Sequence, residues 1–356
     1  MTAAPVSRTH IIGAGLIGAS IGIGLTSEGW DVTIEDADAA AQTLAHSIGA
    51  GGDRGRSADA PAPELVIVAV PPSATAAAVA AALDAWPLAV VTDVASVKAP
   101  IAAAADATGH GDRYVGSHPM AGRELSGGLA AQGDLFKARP WVICANGASR
   151  EAVERVRALA HALQCDVVEM EAPAHDAAVA RVSHAPQVAA SAVAAALGPL
   201  RADDVALAGQ GLRDVTRIAR SDPRMWADIA RLNRSALVAT IDHIIADLED
   251  IRDADDVGEA VTDLIERGRL EVARIPGKHG GAQREWTPVT VIVPDIAGQL
   301  LRLLSDVALV GVNVEDITIE HSPRQPVGLT TLHVLPARAQ ELTRALSDNG
   351  WEIAAP

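Results

Sequence analysis

The sequence predicts an α/β chain of three parts: a doubly wound strand–helix region, an all-helical region and a small βαββαβ module. Three observations carry that expectation. The first 170 residues alternate short, continuous apolar runs with helical stretches, the pattern of a parallel sheet covered on both faces. From His175 to about Arg267 apolar residues recur at helical spacing, and no alternating strand interrupts them. After a Gly- and base-rich stretch, the remaining elements follow the order of a ferredoxin-like unit. The expected bounds are 1–170, 171–267 and 288–356, with 268–287 as a linker.

In the first part, His10–Gly13 reads as a strand entering a glycine turn, and Asp31–Glu35 as a second strand. Leu65–Val70 is a continuous apolar run ended by Pro71 and Pro72. Leu88–Val94, Tyr114–Ser117 and Trp141–Ala145 are further strands. The helical part breaks at Ser221-Asp222-Pro223, where Asp222 can cap a helix that begins at Pro223. A helical region this apolar more often buries a subunit interface than faces water. The last part reads as strands Thr287–Val293, Asn313–Glu320 and Leu329–Leu335 with a short final strand, and helices Gly298–Leu309 and Ala339–Asn349.

Composition narrows the function. The chain has 356 residues, 49% hydrophobic and 21% charged, enough to bury large cores. Its formal charge of −16 argues against nonspecific nucleic-acid binding and against anionic membranes. In so acidic a chain a cluster of arginines becomes informative. Cys144 and Cys165 lack CxxC spacing, so they read as reduced thiols rather than a metal or redox pair. The N-terminus shows no signal-peptide pattern, and no apolar run reaches the roughly 18 residues of a membrane span. The expectation is a soluble, cytoplasmic protein without a metal site.

Gly13-Ala14-Gly15-Leu16-Ile17-Gly18 is a GxGxxG between a strand and a helix. Its glycines permit a tight turn, close approach of backbone to a pyrophosphate, and helix–strand contact, the Rossmann arrangement. Asp36 ends the second strand 18 residues beyond Gly18, near the ribose-binding position. Gly13, Gly15, Leu16, Ile17, Gly18 and Asp36, with Val70 and Pro71 at the third strand's end, are the candidate cofactor residues. Glu35 and Asp36 disfavour a 2′-phosphate and so favour NAD over NADP. Arg54 and Arg56 stand near enough in sequence to weigh the other way.

Ser96, in DVASVK after the fourth strand, can bond a substrate hydroxyl or orient an imidazole; it can equally be a helix N-cap. His118 stands at a strand end, framed by Pro119 and two glycines, where a neutral imidazole can accept a proton. Glu124, one loop on, is a candidate gate or a plain solvated carboxylate. Ala180, His184, Gln187 and Ser191 fall at i, i+4, i+7, i+11, a polar and small stripe that lines a pocket or forms a seam between helices. His175 and His184, nine apart, would face opposite sides of one regular helix and share no metal. Arg213, Arg217 and Arg220 lie at i, i+4, i+7, and one of them facing inward would make an anion clamp.

Together these segments resemble the prephenate dehydrogenase family over nearly the full chain. GAGLIGAS, DVASVK, GSHPMAGRELSG, HDAAVARVSHAPQ, RDVTRIARSDPRMW and IPGKHGG carry the resemblance. It implies a homodimer with intertwined helical domains, NAD as cofactor, and prephenate or arogenate as substrate. It also implies that His118 accepts the proton of the ring 4-hydroxyl as hydride leaves that carbon. Ser96 would hold the hydroxyl and His118, while Arg217 binds a carboxylate. Arg213, His184, Gln187 and Glu124 complete the candidate substrate site. Three departures stand out: Gln187 where many members have histidine, Leu212 in a GFRD motif, and Ala95 for glycine. The C-terminal part resembles an ACT domain through PDIAGQL and GVNVEDITIEH, with Asp295, Gly298 and Asn313 at its ligand loops. That implies tyrosine as an effector, or a module that only props the dimer. Rival readings are a β-hydroxyacid dehydrogenase or imine reductase, and a non-catalytic NAD and amino-acid sensor.

Overall fold

A computed structural model describes residues 8–53, 61–121, 127–276, 285–321 and 326–354. The chain divides into two compact units, Met1–Ala246 and Asp247–Pro356, so the division falls inside the expected helical part.

The first unit is built on a seven-stranded sheet. Its strands are β1 (Arg8–Ile12), β2 (Asp31–Glu35), β3 (Leu65–Val68), β4 (Val90–Asp93), β5 (Tyr114–Pro119), β6 (Pro140–Cys144) and β7 (Asp166–Glu169), in the order β2-β1-β3-β4-β5-β6-β7. The strand order reverses between β1 and β3, which creates a crevice at their carboxyl ends, where doubly wound sheets bind ligands. Helices α1 (Leu16–Ser27), α2 (Ala39–Ser47), α3 (Pro72–Ala85), α4 (Ala99–Ala107) and α5 (Arg150–Ala162) cover it. All four residues of β3 are buried. Leu65 and Ile67 join one core with Ile11, Ile34 and Trp141, while Val66 and Val68 join the other with Val91 and Tyr114. A strand wetted on neither face needs no polar alternation, so its sequence is a continuous apolar run.

The sheet is not wholly parallel, contrary to expectation. β6 runs antiparallel to β5, and β7 parallel to β6. A parallel return needs a crossover of a dozen or more residues, usually a helix, and the described residues between β5 and β6 hold only the short 3₁₀ turn Gly128–Ala130. β7 was not expected, because DVVE is a short, mostly exposed edge strand without an apolar run. The third strand stops two residues early: Ala69 turns away to pass against Gly13.

The helical elements are α6 (Ala172–Val179), a π-turn (Ala180–His184), α7 (Ala185–Ala195), α8 (Ala202–Val205), α9 (Gln210–Thr216), a 3₁₀ turn (Arg217–Arg220), α10 (Pro223–Leu232), α11 (Arg234–Asp253) and α12 (Val257–Val272). α11 enters both units. Asp222 caps α10 as expected, accepting from the Arg224 amide at 2.7 Å with Pro223 first in the helix. Two helical periodicities fail. The π-turn breaks the register between His175 and His184, and the 3₁₀ turn takes Arg217 and Arg220 off the helix that carries Arg213.

In the second unit β8 (Thr287–Pro294), α13 (Gln299–Val310), β9 (Val314–His321), β10 (Val327–Val334), α14 (Pro336–Asp348) and β11 (Glu352–Ile353) form a four-stranded sheet of order β11-β8-β10-β9 with two helices. Burial alternates along β10, as in a sheet with one covered face. The expected linker is shorter than 268–287, since α12 continues to Val272 and β8 begins at Thr287. Among the described residues no helix is long and apolar enough to cross a membrane.

Candidate active site

The glycine turn has the shape a dinucleotide needs. Gly13 sits at φ +108°, and a Cβ there would stand 2.4 Å from the Ala69 carbonyl oxygen. A Cβ on Gly18 would stand 2.0 Å from the Gly13 oxygen, while the space around Gly15 is open. α1, opened by Leu16 and Ile17, has neither a side-chain cap nor an acidic residue in its first turn. Its first amides are therefore left for an anion. Asp36 accepts from the Ala14 amide at 2.6 Å and from the Asp38 amide at 2.8 Å, which fixes its carboxylate beside the turn. Val70 follows β3 against Gly13, and Pro71 leads into α3. These residues fit a dinucleotide. Arg54 and Arg56 lie outside the described residues.

The ends of β4 and β5 are locked together from inside. Lys98 and Asp93 are fully buried and paired, and the Lys98 ammonium also donates to the Ser117 carbonyl at 2.7 Å. Asp93 accepts from the Ala95 amide at 2.9 Å and the Tyr114 hydroxyl at 2.7 Å. Burial, then the Asp93 carboxylate, hold the Tyr114 phenol well above its usual range. Ser117 donates to the Asp93 carbonyl at 2.7 Å. The next residue, His118, is therefore presented from a rigid platform at the carboxyl end of β5. That end lies two strands, about 10 Å, along the same edge from β3.

His118 meets the helical region. Its Nδ1 lies 2.9 Å from His175 Nε2, and His175 Nδ1 lies 2.8 Å from Asp176 Oδ1. Asp176 accepts from the Lys98 and Ala99 amides, each at 2.8 Å, and so caps α4 from 77 residues away. Ser96 is thus not the N-cap. It lies half-buried in the bend before α4, and His118 Nδ1 is taken by His175. Burial raises Asp176, but the bonds from His175, Ala99 and Lys98 outweigh it and hold the carboxyl below its usual value. Burial, then the charges of His175, Lys98 and His184, push His118 well below 6.5.

Asn233 donates to the Asp176 carbonyl at 2.8 Å and lies 3.2 Å from His184 Nδ1. Burial lowers His184 to about 4, Asp176 opposing and His175 assisting. Gln187 donates to the Ile218 carbonyl at 2.9 Å and accepts from Ser221 at 3.2 Å, so its amide braces the turn that carries Arg217. Arg213, Arg217 and Arg220 are all exposed in the single chain. Glu124 falls outside the described residues.

The family model for the prephenate dehydrogenase nucleotide-binding domain matches residues 21–169, and that for the prephenate dehydrogenase dimerization domain matches 171–261. The chain belongs to the prephenate dehydrogenase family. It is 33% identical to the probable prephenate dehydrogenase NovF of Streptomyces niveus, over 96% of this chain and 98% of that one. It is 28% identical to the prephenate dehydrogenase of Lactococcus lactis, over 96% of each. The prephenate dehydrogenase of Aquifex aeolicus, solved with hydroxyphenyl propionate and NAD+, shares the fold at a TM-score of 0.67 and 24% identity. That match covers 76% of this chain and all of that one.

Within the chain, His118 and Ser96 share the carboxyl edge of the sheet with the glycine turn, and His184 and Gln187 lie on the helical side. Sequence reasoning left His175, Asp176 and Asn233 without a role. The first two stood in a segment already singled out, but nothing local tells that Asp176 caps a distant helix. Asn233 carries no signal. In the C-terminal module Asp295 and Gly298 precede α13 and Asn313 follows it. One 12-residue helix, about 18 Å, separates them, so one copy does not gather the three.

Proposed function

We propose that the protein is an NAD-dependent prephenate dehydrogenase, converting prephenate to 4-hydroxyphenylpyruvate and CO2 in tyrosine biosynthesis. The observation that carries this reading is a fixed strand-end imidazole, His118, on the same sheet edge as a dinucleotide turn, in a chain of this family. Gly13, Gly15, Gly18, the first amides of α1 and Asp36 would hold NAD, which supplies the hydride acceptor when bound. Leu16, Ile17, Val70 and Pro71 would border it.

His118 takes the proton of the ring 4-hydroxyl as hydride leaves the carbon that bears it. The ring then loses its carboxylate as CO2, the bonding pair runs through the ring to the oxygen, and His118 returns the proton to the phenolate. No net proton is consumed. The protein's own work is positioning and one reversible proton transfer, since aromatisation supplies the drive. Ser96 would hold the hydroxyl and Arg217 a carboxylate, with His184, Arg213 and Glu124 near the side chain. Gln187 would act chiefly through the Arg217 turn.

Gln187, in place of a histidine, favours keeping arogenate as the second reading, because it stands where the side chain would be read. The match to a dimerization domain and the exposed Ile244, Ile245 and Leu248 of α11 support a homodimer. Burial pushes the Cys144 and Cys165 thiols up to about 12, which suits reduced cysteines in a cytoplasmic enzyme. The C-terminal module, as an ACT domain, would take tyrosine between paired copies through Asp295, Gly298 and Asn313.

The test is NADH formation by purified protein, with prephenate and arogenate compared against NAD and NADP. Turnover of prephenate with NAD is expected; folded protein that binds NAD and turns over neither acid would favour a sensor. His118→Asn should lower kcat by about 10²–10⁴-fold with NAD binding intact. A wild-type rate would remove His118 from the mechanism.

A further inference from the structure

Neutral imidazole carries one N–H, so an imidazole held at both nitrogens has its tautomer decided by its partners. The line of bonds behind His118 decides two such questions from one end. Asp176 sits on the amides of Lys98 and Ala99 at the start of the nine-residue helix α4. The positive end of that helix favours an ionised carboxylate there. An ionised carboxylate only accepts, so His175 Nδ1, 2.8 Å away, carries the hydrogen. His175 Nε2 is then a bare acceptor. His118 Nδ1, 2.9 Å from it, must be the donor.

We propose that His175 and Asp176 form a positioning dyad that holds neutral His118 in the Nδ1–H tautomer, leaving its Nε2 as the lone-pair acceptor for the substrate hydroxyl. The proposal rests on the reading of His118 as proton acceptor. The opposite tautomer would present an N–H to the hydroxyl and could take no proton from it. When the substrate O–H breaks and Nε2–H forms, the new imidazolium keeps its Nδ1–H on His175, which in turn leans on the Asp176 carboxylate. When the phenolate takes the proton back, Nε2 is bare again and His175 has exchanged nothing. This is the logic by which a buried carboxylate orients the histidine of a hydrolase triad, here extended through a second imidazole. Asn233, bonded to the Asp176 carbonyl at 2.8 Å, fixes the turn of α6 that carries both residues.

The experiment uses full-length protein and two substitutions at His175. His175→Leu fills the space but has no hydrogen bonds. His175→Gln can accept from His118 with its oxygen and donate to Asp176 with its nitrogen. His175→Leu should lower kcat by about 10²–10⁴-fold while prephenate KM and NAD affinity hold, and His175→Gln should recover to within about tenfold of wild type. A wild-type kcat in His175→Leu, or equal losses in both variants, overturns the dyad. Nitrogen-15 spectra of histidine-labelled wild type, with His118→Asn to assign the resonance, read the tautomer without turnover and without relying on either variant to fold. Protonated Nδ1 with bare Nε2 supports the dyad even if prephenate proves the wrong substrate; protonated Nε2 refutes it.

Discussion

Replacing Lys98 by Met tests whether the buried charge pair, rather than the shape of the β4–β5 end, holds the site's platform together. Met keeps most of the side-chain volume and removes the ammonium. Asp93 would retain the Ala95 amide at 2.9 Å and the Tyr114 hydroxyl at 2.7 Å, yet stand fully buried without a counter-charge. Breaking a buried pair from one side costs about 3–5 kcal/mol, and two surviving hydrogen bonds put this case near the lower figure. For a unit of this size each kcal/mol moves Tm by about 2–4 °C, so the unit should melt about 6–12 °C lower. Removing both charges, in Asp93→Asn/Lys98→Met, should restore stability to within about 1 kcal/mol, because neutral replacements of buried pairs are often tolerated. Thermal and urea unfolding followed by tryptophan fluorescence measure both variants. A single variant within about 1 kcal/mol of wild type, or a double variant less stable than the single, would show that the charge is not the cause.

Three further outcomes are expected. The acid limb of kcat/KM should lie below pH 6.5, because burial first, helped by the nearby Lys98 ammonium, keeps His118 neutral there; a limb at or above 6.5 contradicts that environment. Arg217→Ala should raise prephenate KM by about 10- to 100-fold, the worth of a charged hydrogen bond, with kcat little changed, whereas an unaltered KM would shift the clamp to another arginine. Because burial takes His184 from 6.5 to about 4, the folded state binds fewer protons than the unfolded chain between those values. Stability should therefore fall by about 2–3 kcal/mol as pH drops through that window. Urea titrations at pH 7 and 4.5 should show that fall, and His184→Gln should flatten it.

The parts of the fold that the sequence made legible are those with a local cause. The buried strand β3 shows as an apolar run because both its faces are covered, and the start of α10 shows as Asp-Pro because cap and first residue are adjacent. The glycine turn is legible for the same reason: its two tight approaches, at Gly13 and Gly18, are to backbone and tolerate no side chain. What stayed hidden depends on partners far along the chain. The direction of β6 goes with a connection in which the described residues form only a short 3₁₀ turn, and β7 is an edge too polar to announce itself. Helical spacing misplaced the arginines and histidines because it assumes 3.6 residues per turn, and a π-turn and a 3₁₀ turn break that count where the site is built.

The same long-range dependence explains why the candidate site lies at the seam between sheet and helical region. α4 lacks a local cap, and its first amides are satisfied only by Asp176. Asp176 is held in turn by Asn233, which also reaches His184. His118 is oriented by His175 from the same turn of α6. Each region thus completes an unsatisfied group of the other, and an unmet buried amide or carboxylate costs about 1–3 kcal/mol. Docking the helices and setting the imidazole are therefore one event. A change that loosens the seam should appear in kcat before it appears in NAD binding, because the glycine turn and Asp36 are braced within the sheet region alone.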